Sequence, residues 1–234
     1  MKKTVLLISG ATGFIGRNLI NTLEINNNYE YYIVDKTFTS CFPRVPDKVD
    51  WVIHLASSHR EKEEQLVYQY NAEINSKLVN FLEKTNLQSN ILFTSSVQEG
   101  NDTFYGKSKR EGTLYLKTNC ENWGKTFKKL TLPNIFGPFA KPNHTSVVAN
   151  FCFNIIKGKE SYINDVSIQL AYIADVVQAI LSLDGQSQIK TKEVRLKELY
   201  ESIEQLHEKY KVNKSVMIKS RFHAQLLATY LSYT

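Results

Sequence analysis

Tyr105 and Lys109 stand four residues apart in Tyr105-Gly106-Lys107-Ser108-Lys109, and a segment that reads as a helix from about Tyr105 to Asn119 puts both on one face. The spacing suits acid-base work. A free tyrosine titrates at about 10, and an ammonium beside it favours the phenolate and brings the group toward neutrality. Alone, Y-x-x-x-K arises in any helix by chance. Nine residues before Tyr105, however, Ser96 closes Thr94-Ser95-Ser96 after the apolar run Ile91-Leu92-Phe93, at the strand end where open α/β sheets place ligands. A serine hydroxyl there could hold a carbonyl oxygen while the tyrosine exchanges a proton with it.

A second group of residues could hold an anion. Gly10-Ala11-Thr12-Gly13-Phe14-Ile15-Gly16 is a G-x-x-G-x-x-G turn between an apolar run and a segment of helical periodicity. Gly10 can take the tight turn, Gly13 lets backbone approach a pyrophosphate, and Gly16 permits close helix-sheet packing. The helix then points its free N–H groups at the anion, with Thr12, Phe14 and Ile15 as further contacts. Asp35, at the end of a second strand, stands where a carboxylate accepts from an adenosine ribose, which favours NAD. Lys36 and Arg17 could instead bind a 2′-phosphate, which favours NADP, or be solvated surface cations. Leu55, Ala56 and Ser57 end the next strand at the same edge, where small residues let a cofactor lie against backbone. His54 reads as a core histidine, and His54, His59, His144, His207 and His223 lack metal-ligand spacing, so no metal is expected.

The elements that must position these residues alternate. Thr4 to Ser9 reads as a parallel strand buried on both faces, and Ile15, Leu19, Ile20 and Leu23 as a helix. Tyr31 to Val34 and Asp50 to Ala56 read as strands, with an interval too short and too proline-interrupted for a full βα unit between them. Val67 to Leu82 is a long helix, Arg60 to Glu64 its solvated start, and a strand near Leu130 and Leu132 follows the Tyr105 helix. The pattern predicts an α/β fold: a Rossmann-type doubly wound parallel sheet of about five or six strands over residues 1–137. After Pro138 a helix over Val147 to Ile156, a short strand over Ile168 to Ile173 and a helix carrying Leu196, Leu199, Ile203, Leu206 and Tyr210 read as a small C-terminal substrate-binding cap, residues 138–234. The active site is expected in the cleft between the two.

Composition narrows the classes. The 234 residues are 42% hydrophobic and 22% charged, with ten Gly and five Pro, which excludes a disordered, low-complexity or fibrous chain. A net charge of +6 permits an anionic partner without identifying one. Lys107, Lys109, Arg110, Lys117, Lys125, Lys128 and Lys129 are either a solvated helix face or a positive field for a nucleotide. No interleaved aromatics mark a nucleic-acid surface, and no stretch approaches the roughly 18 apolar residues of a membrane span, so neither partner is expected. Cys41, Cys120 and Cys152 lack C-x-x-C spacing and fit a reducing cytoplasm. The start Met1-Lys2-Lys3 followed by Val5 to Ile8 is too short in apolar residues for a signal peptide.

Gly10 to Gly16, Asp50 to Ala56, Asn71, Thr94-Ser95-Ser96, Tyr105 with Lys109, and Leu132-Pro133-Asn134-Ile135-Phe136-Gly137-Pro138 come in the order of the landmarks of the extended short-chain dehydrogenase/reductase superfamily, which the chain resembles over nearly its whole length. The resemblance implies that Ser96, Tyr105 and Lys109 form the catalytic set, that Pro133 and Ile135 approach the nicotinamide, and that Asn134 meets substrate or cofactor. Ser95-Ser96-Val97-Gln98, Lys141-Pro142-Asn143 through Ser146 to Cys152, and Asn164-Asp165 with Tyr172 to Asp175 are similar to the reductase domain of CapF-like capsular-polysaccharide enzymes. That similarity implies NADPH-dependent reduction of the 4-keto group of a UDP-linked 4-keto-6-deoxy-hexose, with Gln98, Asn143 and Ser146 as further substrate contacts. It also implies that C3 epimerisation, the task of a C-terminal cupin in such proteins, falls to a separate epimerase, with a 4,6-dehydratase of the same pathway as another partner. A homodimer is expected from the superfamily. Thr131, Ala174 and Asp35-Lys36 depart from the common pattern, which bears on cofactor and sugar choice. A 4-epimerase that retains NAD and a non-catalytic NAD(P)-binding sensor or scaffold are the alternatives.

Overall fold

The structure, a computed structural model, describes residues 2–59, 61–183 and 188–234, so Met1 and Arg60, which open two of the segments read above, lie outside the described residues. Two compact units divide the chain, Met1–Leu132 and Pro133–Thr234. The first begins with β1 (Thr4–Ser9), α1 (Phe14–Glu24), β2 (Tyr29–Val34), β3 (Cys41–Phe42) and β4 (Trp51–His54). It continues with α2 (Glu64–Lys84), β5 (Asn90–Ser96), a 3-10 turn at Val97–Gly100, α3 (Phe104–Asn122) and β6 (Phe127–Leu132). Its six strands take the order β3-β2-β1-β4-β5-β6, all parallel except the β2–β3 pair. This is a Rossmann-type α/β fold.

The order reverses direction between β1 and β4, and there the carboxyl ends of two neighbouring strands open a crevice that no crossover covers. Ser9, the last residue of β1, pairs with His54, the last of β4, so the glycine turn and Leu55-Ala56-Ser57 leave the sheet side by side. Buried Leu7, Val52, Ile91 and Phe93 meet Leu78, Phe81 and Leu82 of α2 and Leu116 of α3. Each such side chain contributes roughly 1.5–3 kcal/mol by leaving water, and this rigid packing holds the strand ends in place.

The short interval before β4 contains no helix. A turn after Asp35 leads into β3, which pairs antiparallel with β2 through Ile33–Phe42 and Val34–Cys41. Phe38, at φ 57°, turns into the core there and lies 7% exposed. An antiparallel hairpin thus replaces the missing βα unit.

The second unit comprises β7 (Asn134–Phe136), α4 (Val147–Ile156), β8 (Ser167–Tyr172), α5 (Ile173–Leu181), β9 (Thr191–Arg195), α6 (Leu196–Asn213) and α7 (Arg221–Leu231). β8 pairs parallel with β7 and antiparallel with β9. Phe136, Val148, Phe151, Leu199, Ile203, Leu226 and Tyr230 give this unit a core of its own. α5 begins at Ile173, the residue read from sequence as the end of a strand, because Ile173, Val176, Val177, Ile180 and Leu181 form one buried face. α7 starts where the Ser220 hydroxyl accepts from the His223 amide at 3.1 Å. Among the described residues, no helix is long and apolar enough to cross a membrane.

Candidate active site

The glycines of the first turn answer to contacts that leave no room for a side chain. Gly10 has φ +74°, and a Cβ there would lie 2.6 Å from the Ala56 nitrogen and 2.8 Å from the Leu55 carbonyl carbon. A Cβ on Gly16 would lie 2.3 Å from the Gly10 oxygen. Gly13 precedes α1 in extended conformation and makes no side-chain cap, and the first turn of α1 contains no acidic residue. The first amides and the positive end of the helix dipole are therefore available to an external anion, as a dinucleotide pyrophosphate requires. Thr12 is exposed, and Phe14 and Ile15 are half-buried at the start of the helix. The residues present fit such a cofactor.

Asp35 is already engaged. One carboxylate oxygen accepts from the amides of Thr39 at 2.8 Å and Ser40 at 3.3 Å, the other from the hydroxyls of Thr37 at 2.6 Å and Thr39 at 3.2 Å. The Thr37 hydrogen bond leads the effects that hold this carboxyl at about 2. Four donors fill the acceptor positions of one carboxylate. Arg17 places its Nε on the Thr12 carbonyl at 3.0 Å, and Lys36 is exposed.

His54 is fully buried within the sheet. Its Nδ1 lies 2.6 Å from the Ser9 hydroxyl and its Nε2 3.0 Å from Oδ1 of Asn75. Because Asn75 offers a carbonyl oxygen, the neutral ring carries its proton on Nε2 and accepts from Ser9 on Nδ1. Burial pushes its pKa down to about 4, against the Asn75 hydrogen bond. Ser9 Oγ in turn accepts the Ala56 amide at 3.3 Å, so this network positions the Leu55-Ala56-Ser57 exit.

Ser96, Tyr105 and Lys109 come together at the end of β5. The Ser96 hydroxyl accepts the Gln98 amide at 3.2 Å and starts the 3-10 turn, leaving the Gln98 side chain exposed. Thr103 caps α3 by accepting the Gly106 amide at 3.0 Å. A Cβ on Gly106 would lie 2.5 Å from the Asn101 oxygen and 2.6 Å from the Gln98 oxygen. The absence of a side chain at Gly106 thus lets α3 press against the turn and carries Tyr105 toward Ser96. Lys109 is 4% exposed, donates to the Thr94 carbonyl at 3.1 Å, and lies 4.9 Å from the Phe93 ring centre and 5.7 Å from that of Tyr105.

Burial dominates the electrostatics here. It raises the Tyr105 phenol to about 12, the Ser96 hydrogen bond only partly opposing it. It lowers the Lys109 ammonium to about 8, with Glu99 acting in the other direction. The expectation that Lys109 brings Tyr105 toward neutrality is not met in this structure: burial of the phenol dominates, and what opposes it is Ser96 and not Lys109. Tyr105 stays protonated at neutral pH.

Two neighbours of Tyr105 were not singled out by spacing. Ser108 Oγ donates to the Tyr105 carbonyl at 2.7 Å and accepts from Asn71 at 3.0 Å, and Asn71 also grips the backbone of Ser58. The His59 ring lies against the Tyr105 ring, with centroids 5.1 Å apart. His59, and the Ser58 backbone that Asn71 grips, belong to the loop after β4, which pattern reading cannot fold. In the second unit Asn134 Nδ2 donates to the Gln169 carbonyl at 3.4 Å, Ser146 is buried with its hydroxyl on the Ile135 carbonyl at 3.0 Å, and Pro133 is half-buried. Asn143 is exposed at φ 58° and gives its amide to Asn150 at 2.6 Å. Among the described residues, no cluster of three or more His, Cys, Asp or Glu could hold a metal ion.

A model of the NAD dependent epimerase/dehydratase family matches residues 6–193. The chain belongs to that family. This epimerase/dehydratase family member is 32% identical over 241 residues to the UDP-2-acetamido-2,6-beta-L-arabino-hexul-4-ose reductase of Pseudomonas aeruginosa, the match covering 97% of this chain and 64% of that protein. Its structure is similar to that of capsular polysaccharide assembling protein CapF from Staphylococcus aureus, with TM-score 0.75 and 25% identity over 97% of this chain and 65% of that one. The chain thus spans less than two thirds of the length of either. RMD from Pseudomonas aeruginosa, whose structure was determined with NADPH, shares the fold with TM-score 0.79 at 18% identity, over 99% of this chain and 97% of that chain.

Proposed function

We propose that this epimerase/dehydratase family member is a reductase that uses NADPH on the 4-keto group of a UDP-linked 4-keto-6-deoxy-hexose, in deoxysugar synthesis for a surface polysaccharide or glycan. The observation that carries the reading is the half-buried Tyr105 phenol beside Ser96, held protonated by burial, with the Lys109 ammonium 5.7 Å from its ring centre. A phenol kept protonated is an acid, and a ketone under reduction needs an acid at its oxygen. The Pseudomonas aeruginosa relative supports the substrate class, being by name a reductase of a UDP-linked hexul-4-ose. NADPH is supported by the occupied acceptor positions of Asp35, with Arg17 and Lys36 as the cations for a 2′-phosphate, and by the NADPH held in the RMD structure.

Bound NADPH supplies the hydride that adds to C4 of the sugar. The first amides of α1, with Gly10 to Gly16, hold the pyrophosphate, and Leu55, Ala56 and Ser57 offer backbone beside them. Ser96 orients the carbonyl oxygen and Tyr105 gives it a proton. Lys109 uses one N–H on the Thr94 carbonyl, and its other two are for ribose hydroxyls. From the second unit the family resemblance offers Pro133 and Ile135 as cofactor contacts and Asn134 and Asn143 as sugar contacts, with Ser146 bracing the Ile135 backbone. Gln98 is a further sugar contact. The setting we infer is cytoplasmic and homodimeric, with a 4,6-dehydratase or C3-epimerase activity supplying the substrate.

The test follows the near-ultraviolet absorbance of NADPH or NADH mixed with the protein and a UDP-4-keto-6-deoxy sugar, with and without a C3-epimerase. Stoichiometric loss with NADPH is expected, together with turnover about 10²–10⁴-fold slower in Tyr105→Phe and cofactor binding unchanged within a few-fold. Bound NAD surviving purification, with no net consumption, would put the recycling 4-epimerase in place of the reductase. No turnover and no cofactor binding would leave a non-catalytic protein.

A further inference from the structure

The turn that follows β5 is folded against its own hydropathy. In Val97–Gly100 the apolar Val97 is 57% exposed and Gln98 and Gly100 are exposed with it, whereas the charged Glu99 turns inward, its side chain 18% exposed. Apolar packing would choose the opposite arrangement. Hydrogen bonds to the carboxylate decide it instead. Glu99 Oε2 accepts from the Ser95 hydroxyl at 2.7 Å and from Lys129 Nζ of β6 at 3.1 Å, and Oε1 lies 3.3 Å from the same ammonium. Bonds to an ionised acceptor are roughly twice as strong as neutral ones, enough to hold a four-residue turn that buries no apolar side chain.

The backbone of the turn is engaged from the other side. Arg110 of α3 donates through Nη1 to the Glu99 carbonyl and, at 3.0 Å, to the Asn101 carbonyl. The Gln98 amide goes to the Ser96 hydroxyl at 3.2 Å, and the Gln98 carbonyl accepts the Asn101 amide at 2.9 Å. β5, β6 and α3 therefore all fasten onto this one turn, and its exposed amide side chain is that of Gln98, two residues beyond Ser96.

Resting on the reductase reading, we propose that Glu99 is a positioning residue for the sugar: its carboxylate, held between Ser95 and Lys129, fixes the turn so that the Gln98 side chain meets the nucleotide sugar beside Ser96. Glu99 acts only through Gln98. Without the carboxylate the buried Ser95 hydroxyl loses its acceptor and the turn keeps its backbone bonds alone, so the Gln98 amide samples directions that miss the sugar. The loss falls on the sugar and not on the dinucleotide, whose glycine turn leaves the sheet at the end of β1.

KM for a UDP-4-keto-6-deoxy sugar, KM for NADPH and kcat are measured in wild type, Glu99→Ala, Glu99→Gln, Gln98→Ala and the Gln98→Ala/Glu99→Ala double variant, each checked for folding by urea unfolding. Glu99→Ala and Gln98→Ala should each raise the sugar KM about ten-fold and leave the NADPH KM within about three-fold, the size of one lost hydrogen bond. Glu99→Gln, which keeps an acceptor for Ser95 and loses the charge facing Lys129, should raise the sugar KM about three-fold. The double variant should be no worse than Gln98→Ala within about two-fold, because two residues that act through one contact are not additive. If Glu99→Ala does not fold, Lys129→Met removes the ion pair at a partly exposed side chain, and it should raise the sugar KM about three-fold in wild type and leave it unchanged in Gln98→Ala. A wild-type sugar KM in Gln98→Ala, losses that multiply in the double variant, or a Glu99→Ala defect shared equally by NADPH would each overturn the role of Glu99 while the enzyme still reduces its sugar. A wild-type protein that oxidises no NADPH overturns the reductase reading, and this role with it.

Discussion

Both oxygens of Asp35 are occupied inside its own turn, by two hydroxyls and two amides, so the carboxylate that a sequence reader assigns to a ribose holds the β2–β3 hairpin instead. Asp35→Asn should therefore cost about 1–2 kcal/mol of stability by weakening hydrogen bonds to a charged acceptor, while leaving the ratio of kcat/KM for NADPH and NADH within about three-fold. Arg17→Ala should do the opposite, lowering kcat/KM for NADPH by about ten-fold or more with NADH unaffected and urea unfolding unchanged, as expected of a lost contact to phosphate. A large shift toward NADPH in Asp35→Asn would show that the carboxylate reads the ribose after all. At this scale the types and order of Ser96, Tyr105 and Lys109 were readable, because one helix and one strand end bring them together. Burial was not readable: the direction of the Tyr105 pKa depends on how much protein covers it, which spacing does not report.

Gly106 shows the same division among elements. It falls within the Y-x-x-x-K segment and carries no function of its own, yet α3 can close on the Val97–Gly100 turn only without a Cβ there. In Gly106→Ala the helix has higher intrinsic propensity, by about 1 kcal/mol, and an isolated helix would gain from the change. The 2.5 Å approach to the Asn101 oxygen, which is backbone and cannot swing aside, should reverse that sign in the folded protein. We expect lower stability by urea unfolding and a fall of about ten-fold or more in kcat as Tyr105 moves from Ser96, since small misplacements of reacting groups are costly. Wild-type activity in Gly106→Ala would mean that the turn moves freely. The elements with long apolar periods, β1, α1, β4, α2 and β5, were readable for the same reason that they form: each buries a continuous stripe. β3 has only two residues, β7 only three, and β9 is short and mostly exposed, so no pattern announces them. α5 was hidden by a strand-like run leading directly into it, and α7 by a boundary set by a serine cap beyond the last residue of the α6 pattern.

Over the whole molecule, folding removes a histidine from water in neutral form, and stability must follow pH accordingly. His54 is completely buried, accepts from Ser9 and donates to Asn75, and has its pKa depressed by burial to about 4. In the unfolded chain the same ring titrates at about 6.5. Between those values the unfolded state binds a proton that the folded state refuses, so stability rises with pH across this window. The contribution is fully present above about pH 6.5 and is lost as pH falls toward 4, to a limit of about 3 kcal/mol. Moving from pH 7.5 to 5.0 should cost wild type about 2 kcal/mol through this residue alone, read from urea unfolding. His54→Gln removes the titration, and its amide can still donate to Asn75. That variant should be less stable than wild type at pH 7.5, yet should lose about 2 kcal/mol less on going to pH 5.0, so the two curves converge in acid. Parallel curves would mean that the ring charges in place, with the Ser9 and Asn75 partners rearranging around it. The Ser9–His54–Asn75 network would then be a soft joint between β1, β4 and α2, which is hard to reconcile with the close packing of Leu55 and Ala56 on Gly10.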